Sequence, residues 1–280
     1  MHRVDLENKD IRVDLISDID TDCVNTRIID SKCRIEKITI NNKNFKTYNK
    51  NKGRYISIFF DDITDYEMKE KIISILSLEL KSLLEEKKLS KKPVLVVGLG
   101  NLLSTPDSLG PKAIDKIVST RHIYLLDNLD SNYSIVSKIS PGVFANTGIE
   151  SFDIIKGIIY KIKPDYVIII DSLSSKSLNK VNKVIQITDS GIDPGSGVGN
   201  HRKEISKKTL KIPVIAIGVP TVVSLHTIIK DTLNEYELDN VLSKKSNNYF
   251  VTPKEIDFII EQLSYIISKS INNVLHNTTK

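Results

Sequence analysis

The sequence predicts an α/β protein with a mostly parallel sheet flanked by helices and a small N-terminal β extension. Three observations carry that expectation. Short apolar runs at Val94–Val97, Tyr166–Ile170, Val184–Ile187 and Val214–Ile217 read as strands buried on both faces, as parallel strands do. Segments with apolar residues at helical spacing recur among these runs, and strand–helix alternation builds a parallel sheet wrapped by helices. Ahead of both, Arg34–Ile40 and Arg54–Phe60 alternate apolar and polar residues across a polar Asn/Lys-rich connection, which is the pattern of a β extension.

Composition bounds the function before any motif is read. With 280 residues and 40% apolar side chains the chain has material for a sizeable core, and without Trp that core must be filled mainly by Ile and Leu. A net charge of +5, carried largely by lysines, fits a solvated surface better than a nucleic-acid site. Cys23 and Cys33 are too few for a disulfide framework and have no neighbouring thiol or imidazole to complete a zinc site. The stretch Met1–Asp10 is charged and lacks the apolar region of a secretory signal. No apolar run approaches the length of a membrane span. The expectation is a soluble, cytoplasmic protein without a membrane or nucleic-acid partner.

In chain order, residues 1–30 carry eight acids and four bases, whereas residues 31–54 carry eight bases and one acid. Thr64 and Glu67 have capping-box spacing, and Met68, Ile72, Ile75, Leu76, Leu80 and Leu83 behind them share one helical face. A polar linker, Glu85–Lys92, leads into Val94–Val97. The tight turn Gly98-Leu99-Gly100-Asn101 follows, then a polar loop that delivers Asp107, and a helix from Ala113 to Val118. Ser134–Ile139 reads as a strand. Thr147 and Glu150 again have capping-box spacing, before a helix with Ile154, Ile155, Ile158, Ile159 and Ile162 inward that Lys163-Pro164 stops. Asp171 follows Tyr166–Ile170, Thr188-Asp189-Ser190-Gly191 follows the third run, and Gly218-Val219-Pro220-Thr221 the fourth. His201–Lys211 reads as a basic loop or short helix. Thr252-Pro253-Lys254-Glu255 combines an N-cap, a first-turn proline and a capping acid before a helix with Ile256, Ile259, Ile260, Leu263, Ile266 and Ile267 on one side.

In open α/β sheets ligands bind at the carboxyl ends of the strands. The four strand ends therefore converge on one rim and bring Asp107, Asp171 and Asp189 to it, while Asp165, which precedes the strand that Asp171 follows, falls about 15–20 Å away on the other. Two neighbouring carboxylates divide labour, one ionised and taking a proton from water, the other protonated and donating to substrate, because like charges push their titrations apart. An aspartate at a strand end also serves to cap a helix or bind loop amides, and spacing alone leaves both readings open. Other chemistries find less support. Gly98-Leu99-Gly100 lacks the third glycine and ribose-binding acid of a dinucleotide fingerprint, and the loop holding Gly195, Gly197 and Gly199 lacks the Gly-Lys-Ser/Thr of a phosphate loop. There is no Gly-x-Ser-x-Gly elbow or His-Glu-x-x-His helix; His122, His201 and His226 are scattered, and neither cysteine has a nearby base.

Long segments of the chain carry a resemblance. L-V-V-G-L-G-N-L-L-S-T-P-D-S-L-G-P-K, T-R-H-I-Y, S-P-G-V-F-A-N-T-G-I-E, D-S-G-I-D-P-G-S-G-V-G-N-H-R-K, V-I-A-I-G-V-P-T-V-V and V-T-P-K-E-I-D are similar to the germination proteases of spore-forming bacteria. The resemblance implies an endopeptidase that degrades small acid-soluble spore proteins on germination, a homotetramer, synthesis as a zymogen in the developing spore core, and no cofactor. By motif, the two essential aspartates of that family fall on Asp107 and Asp171. The second site reads Asp171-Ser172-Leu173-Ser174-Ser175-Lys176 in place of the family's usual I-D-A-L-A-A-R. The implied reaction is hydrolysis by a water activated between Asp107 and Asp171, without a covalent intermediate, with Asp189, Gly195, Gly197 and Gly199 shaping the cleft. A weaker likeness, carried by the G-x-G-N-x-L opening and the acid at Asp107, is to hydrogenase-maturation proteases, and relates the expected fold to theirs. It makes a metal-dependent maturation-type protease the alternative enzyme, and a nucleotide-binding module the non-enzymatic one. Family substrates are cut between an acidic and a large apolar residue. Val13-Asp14-Leu15-Ile16-Ser17-Asp18 is similar, which implies self-cleavage between Asp14 and Leu15, with 1–14 as propeptide and 15–280 as one α/β peptidase domain.

Overall fold

The computed structural model describes residues 24–41, 51–194, 203–232 and 249–276. Asp14, Leu15, Cys23, Gly195, Gly197, Gly199 and His201 lie outside the described residues.

Each apolar run of the sequence is a strand. β1 (Asn25–Asp30), β2 (Cys33–Ile40) and β3 (Gly53–Phe60) precede β4 (Val94–Gly98), β5 (Val136–Ile139), β6 (Tyr166–Ser175), β7 (Val184–Thr188), β8 (Val214–Ser224) and β9 (Phe250–Val251). They form one sheet in the order β1-β2-β3-β7-β8-β6-β4-β5, with β9 paired to β8. The parallel part consists of β5, β4, β6 and β8. The β extension is the antiparallel meander β1–β3, and it joins the parallel part through β7, which runs antiparallel to both β3 and β8. Buried strands of either direction have the same composition, so the sequence does not distinguish them.

The helices close both faces. α1 (Tyr66–Glu86), α2 (Leu109–Lys116) and the C-terminal α8 (Ile256–His276) cover one side, where Ile72, Leu76, Leu80, Ala113, Ile260, Leu263 and Ile267 pack against Val94, Val96, Ile168, Ile170, Ile185 and Ile217. The short α3 (Arg121–Tyr124) and α4 (Phe144–Thr147) come next in the chain. α5 (Ser151–Ile162) lies on the other side, where Phe152 and Ile155 meet Leu95, Val97, Val167, Ile169 and Ala216. The single-turn α6 (Lys207–Leu210) and α7 (Leu225–Thr232) complete the order. Strict alternation along β4 and β6 sends odd and even residues to opposite cores, as a two-sided sheet requires.

Two helix starts differ from the capping boxes expected of them. α1 is capped by Asp65, whose carboxylate accepts from Glu67 N at 3.2 Å, while Thr64 turns back to Asp62. α5 begins after Glu150 with no side-chain cap, and Thr147 Oγ1 instead bonds the carbonyls of Val143 and Ile149.

Candidate active site

β4 ends at Gly98 opposite Ile170 of β6, and Leu99 N makes the last bond across, to Ile170 O at 2.8 Å. Beyond that level β6 does not stop. It continues to Ser175 beside β8, with Asp171 opposite Gly218 and a register shift between Leu173 and Ser174. Asp171 therefore stands inside β6 rather than after it, at the height where β4 peels away. Alternation places it on the face of Ile169 and Leu173; it is 6% exposed, and its Oδ1 accepts from Ser172 N at 2.9 Å.

Asp107 reaches the same rim by the loop from β4. Gly98 and Gly110 touch: a Cβ on Gly98 would lie 2.2 Å from Gly110 O, so only glycine lets α2 start against the strand end. Between them the chain turns at Gly100, where φ is +118° and a Cβ would meet Asp107 O at 2.0 Å, so a side chain there is doubly excluded. Thr105–Asp107 form a 3-10 turn that packs against β6, β8 and α8. The Asn101 N–H donates to both Asp107 O (3.0 Å) and Asp107 Oδ2 (2.9 Å). Asn101 Oδ1 in turn accepts from Leu103 N (3.0 Å) and from Asn146 Nδ2 (3.0 Å) on α4, at the end of the neighbouring parallel strand β5. Leu103 and Phe144, 87% and 49% exposed, present large apolar side chains from the two loops so joined.

Asp107 and Asp171 thus share a rim, and Asp165 lies at the opposite one, its N–H bonded to Pro93 O before β4. Asp189 does not join the pair. Because β7 is antiparallel, with Gln186 opposite Gly218 and Thr188 opposite Ala216, the chain after Thr188 heads toward the amino ends of β6 and β8. Asp189 accepts from Arg54 N at 2.6 Å and is paired with Lys87 just past α1, on the sheet face opposite Asp171. Its partners hold the meander to α1.

Among the described residues no three His, Cys, Asp or Glu side chains gather as metal ligands, and no helix is long and apolar enough to cross a membrane. Cys33 is buried in the core beneath α1, and burial pushes its thiol above the usual range, away from the thiolate a nucleophile needs. The bond between Asn101 and Asn146 is what reading the sequence missed. Both residues lie inside segments that carry the family likeness, but nothing local pairs them.

The sheet thus offers two carboxylates at the carboxyl rim of its parallel strands, one loop-borne and one strand-borne, where ligands bind in open α/β sheets. Residues 3–239 match the sequence profile of the germination protease family, a peptidase family, and the chain belongs to it. It is 41% identical to the germination protease of Clostridium acetobutylicum, over 88% of this chain and 87% of that one. Identity to that of Clostridium tetani is 42%, over 84% and 82%, and to that of Bacillus subtilis 36%, over 87% and 83%. Among solved structures, a [NiFe] hydrogenase maturation protease, HycI of Thermococcus kodakarensis, aligns with a TM-score of 0.37 and 17% identity over 65% of this chain and 94% of that one.

Proposed function

We propose that the protein is an endopeptidase that begins the breakdown of small acid-soluble spore proteins on germination, with a water held between Asp107 and Asp171 as the nucleophile. The observation that carries this reading is the shared rim: Asp107 from the loop after β4 and Asp171 on β6 where β4 ends. One carboxylate takes a proton from water as it attacks the peptide carbon, and the other donates to the departing amine. Coupled acids titrate as a pair, so the roles belong to the dyad. The exposed Leu103 and Phe144 offer apolar contact to an extended chain laid over the rim. In the same reading the protein is made as a zymogen that cuts itself between Asp14 and Leu15, works as a homotetramer, acts in the spore core and needs no metal or other cofactor.

The test is turnover of a purified small acid-soluble spore protein. Asp107→Asn and Asp171→Asn are each expected to lose about 10²–10⁴-fold in kcat, the range of a positioned acid or base, with far-UV circular dichroism unchanged. Retained turnover in either variant removes that residue from the chemistry.

A further inference from the structure

We infer that Asn146 is a positioning residue for Asp107, acting through Asn101. The inference rests on the reading of Asp107 as a catalytic carboxylate and adds to it the device that aims the group.

The loop from Asn101 to Asp107 is closed by bonds within it. Ser104 N donates to Asn101 O at 3.0 Å, Asp107 N to Ser104 O at 2.8 Å, and Asn101 N to both oxygen atoms of Asp107 already described. These bonds fix the shape of the loop, and the packing of its 3-10 turn on β6, β8 and α8 seats it on the sheet. Asn146 supplies an external tie, because its Nδ2 donates to Asn101 Oδ1 at 3.0 Å from a different strand connection. That connection is itself braced: Asn146 N bonds Val143 O at 2.9 Å, and Ser151 Oγ at the start of α5 bonds Gly142 O at 2.9 Å. Asn101 is therefore a bracket with two arms. Its side chain is held by Asn146 and by Leu103 N, and its main-chain N–H is aimed at the carboxylate.

Such an exposed amide–amide bond adds little to global stability, since the net value of a hydrogen bond is only about 1 kcal/mol and less where water competes. Its effect is on direction. Rotation of the Asn101 peptide swings the donor away from Asp107 Oδ2, and small misplacements of a catalytic group are costly in rate.

The experiment is a double-mutant cycle read in kcat and KM on a purified small acid-soluble spore protein, with the enzyme in the form that cleaves it. Asn146→Ala is expected to lower kcat about 3- to 10-fold with KM within about twofold, as expected when an aligned group rather than a binding contact is lost. Asn101→Ala is expected to lower it at least as much, and the double variant to match Asn101→Ala alone, because both act through one bond. The melting temperature of Asn146→Ala stays at the wild-type value. Multiplying losses in the double variant, a raised KM at unchanged kcat, or full activity in Asn146→Ala each overturns the inference. If Asn101→Ala does not fold, the kcat-against-KM split of Asn146→Ala decides alone. Failure here leaves Asp107 untouched, whereas an active Asp107→Asn enzyme removes the premise.

Discussion

At the scale of single residues, burial and partners distinguish the proposed catalytic carboxylates from the groups that hold the fold. Asp171 is 6% exposed and its carboxylate accepts from Ser172 N, while the half-buried Asp189 accepts from Arg54 N and pairs with Lys87. His276 is another buried polar group, and its burial has a measurable consequence. It ends α8 at 2% exposure, its Nε2 donates to Val118 O at 3.1 Å, its buried Nδ1 has no hydrogen-bond partner among the described residues, and Tyr133 packs 5.2 Å from its ring. Burial holds its pKa below the ordinary 6.5, with Lys91 adding to the effect and the Val118 carbonyl opposing it. The unfolded chain therefore takes up a proton before the folded one does. This group costs no stability above pH 6.5, and stability falls as pH drops from 6.5 toward the lower folded value. His276→Gln is expected to flatten that limb of a melting-temperature profile between about pH 5 and 7. An identical slope in the variant assigns the dependence elsewhere.

At the scale of elements, the position of Asp107 depends on how α2 meets β4. Gly98→Ala would put its Cβ 2.2 Å from Gly110 O, and Gly110→Ala would put one 2.1 Å from Leu99 O, so each must push helix and strand apart. Each is expected to cost about 1–3 kcal/mol in urea unfolding, as overpacking does, and to lower kcat besides. Gly157→Ala is the control, since nothing lies within 4 Å of its Cβ and it sits inside α5. It is expected to stabilise by about 0.5–1 kcal/mol, the Gly-to-Ala difference in a helix. A stable Gly98→Ala protein would mean that the contact is slack.

The same elements show what a sequence can reveal. β4, β6, β7 and β8 were legible because strands buried on both sides leave an unbroken apolar run, and α1 and α8 because one face repeats every three or four residues. The direction of β7 is not legible, and with it goes the placement of Asp189 on the carboxyl rim of the parallel strands. The continuation of β6 through Ser172, Ser174 and Ser175 was hidden because those residues owe their strand form to β8 alongside, not to any pattern of their own. β1 carries no legible pattern because it is an edge strand whose Ile28 is 75% exposed. The cap of α1 fell one residue from expectation, since Asp62, Thr64 and Asp65 all suit a helix entrance. Asn101 and Asn146 lie 45 residues apart and meet only through the parallel pairing of β4 with β5.

At the scale of the whole molecule, family membership turns the rim into a protease hypothesis. The acid-rich start of the chain, with eight acids against four bases in residues 1–30, precedes a basic block of eight bases and one acid in residues 31–54. Processing between Asp14 and Leu15 would remove part of the acidic block. Intact-mass analysis before and after activation is expected to show loss of residues 1–14, and an unchanged mass in a protein that has gained activity contradicts self-cleavage. The most direct measurement remains cleavage of a purified small acid-soluble spore protein by wild type, Asp107→Asn and Asp171→Asn, each with and without a strong chelator. The account predicts cleavage at acidic–apolar bonds by wild type, indifferent to chelator and lost in both variants. Cleavage that survives either substitution, or that the chelator abolishes, contradicts it.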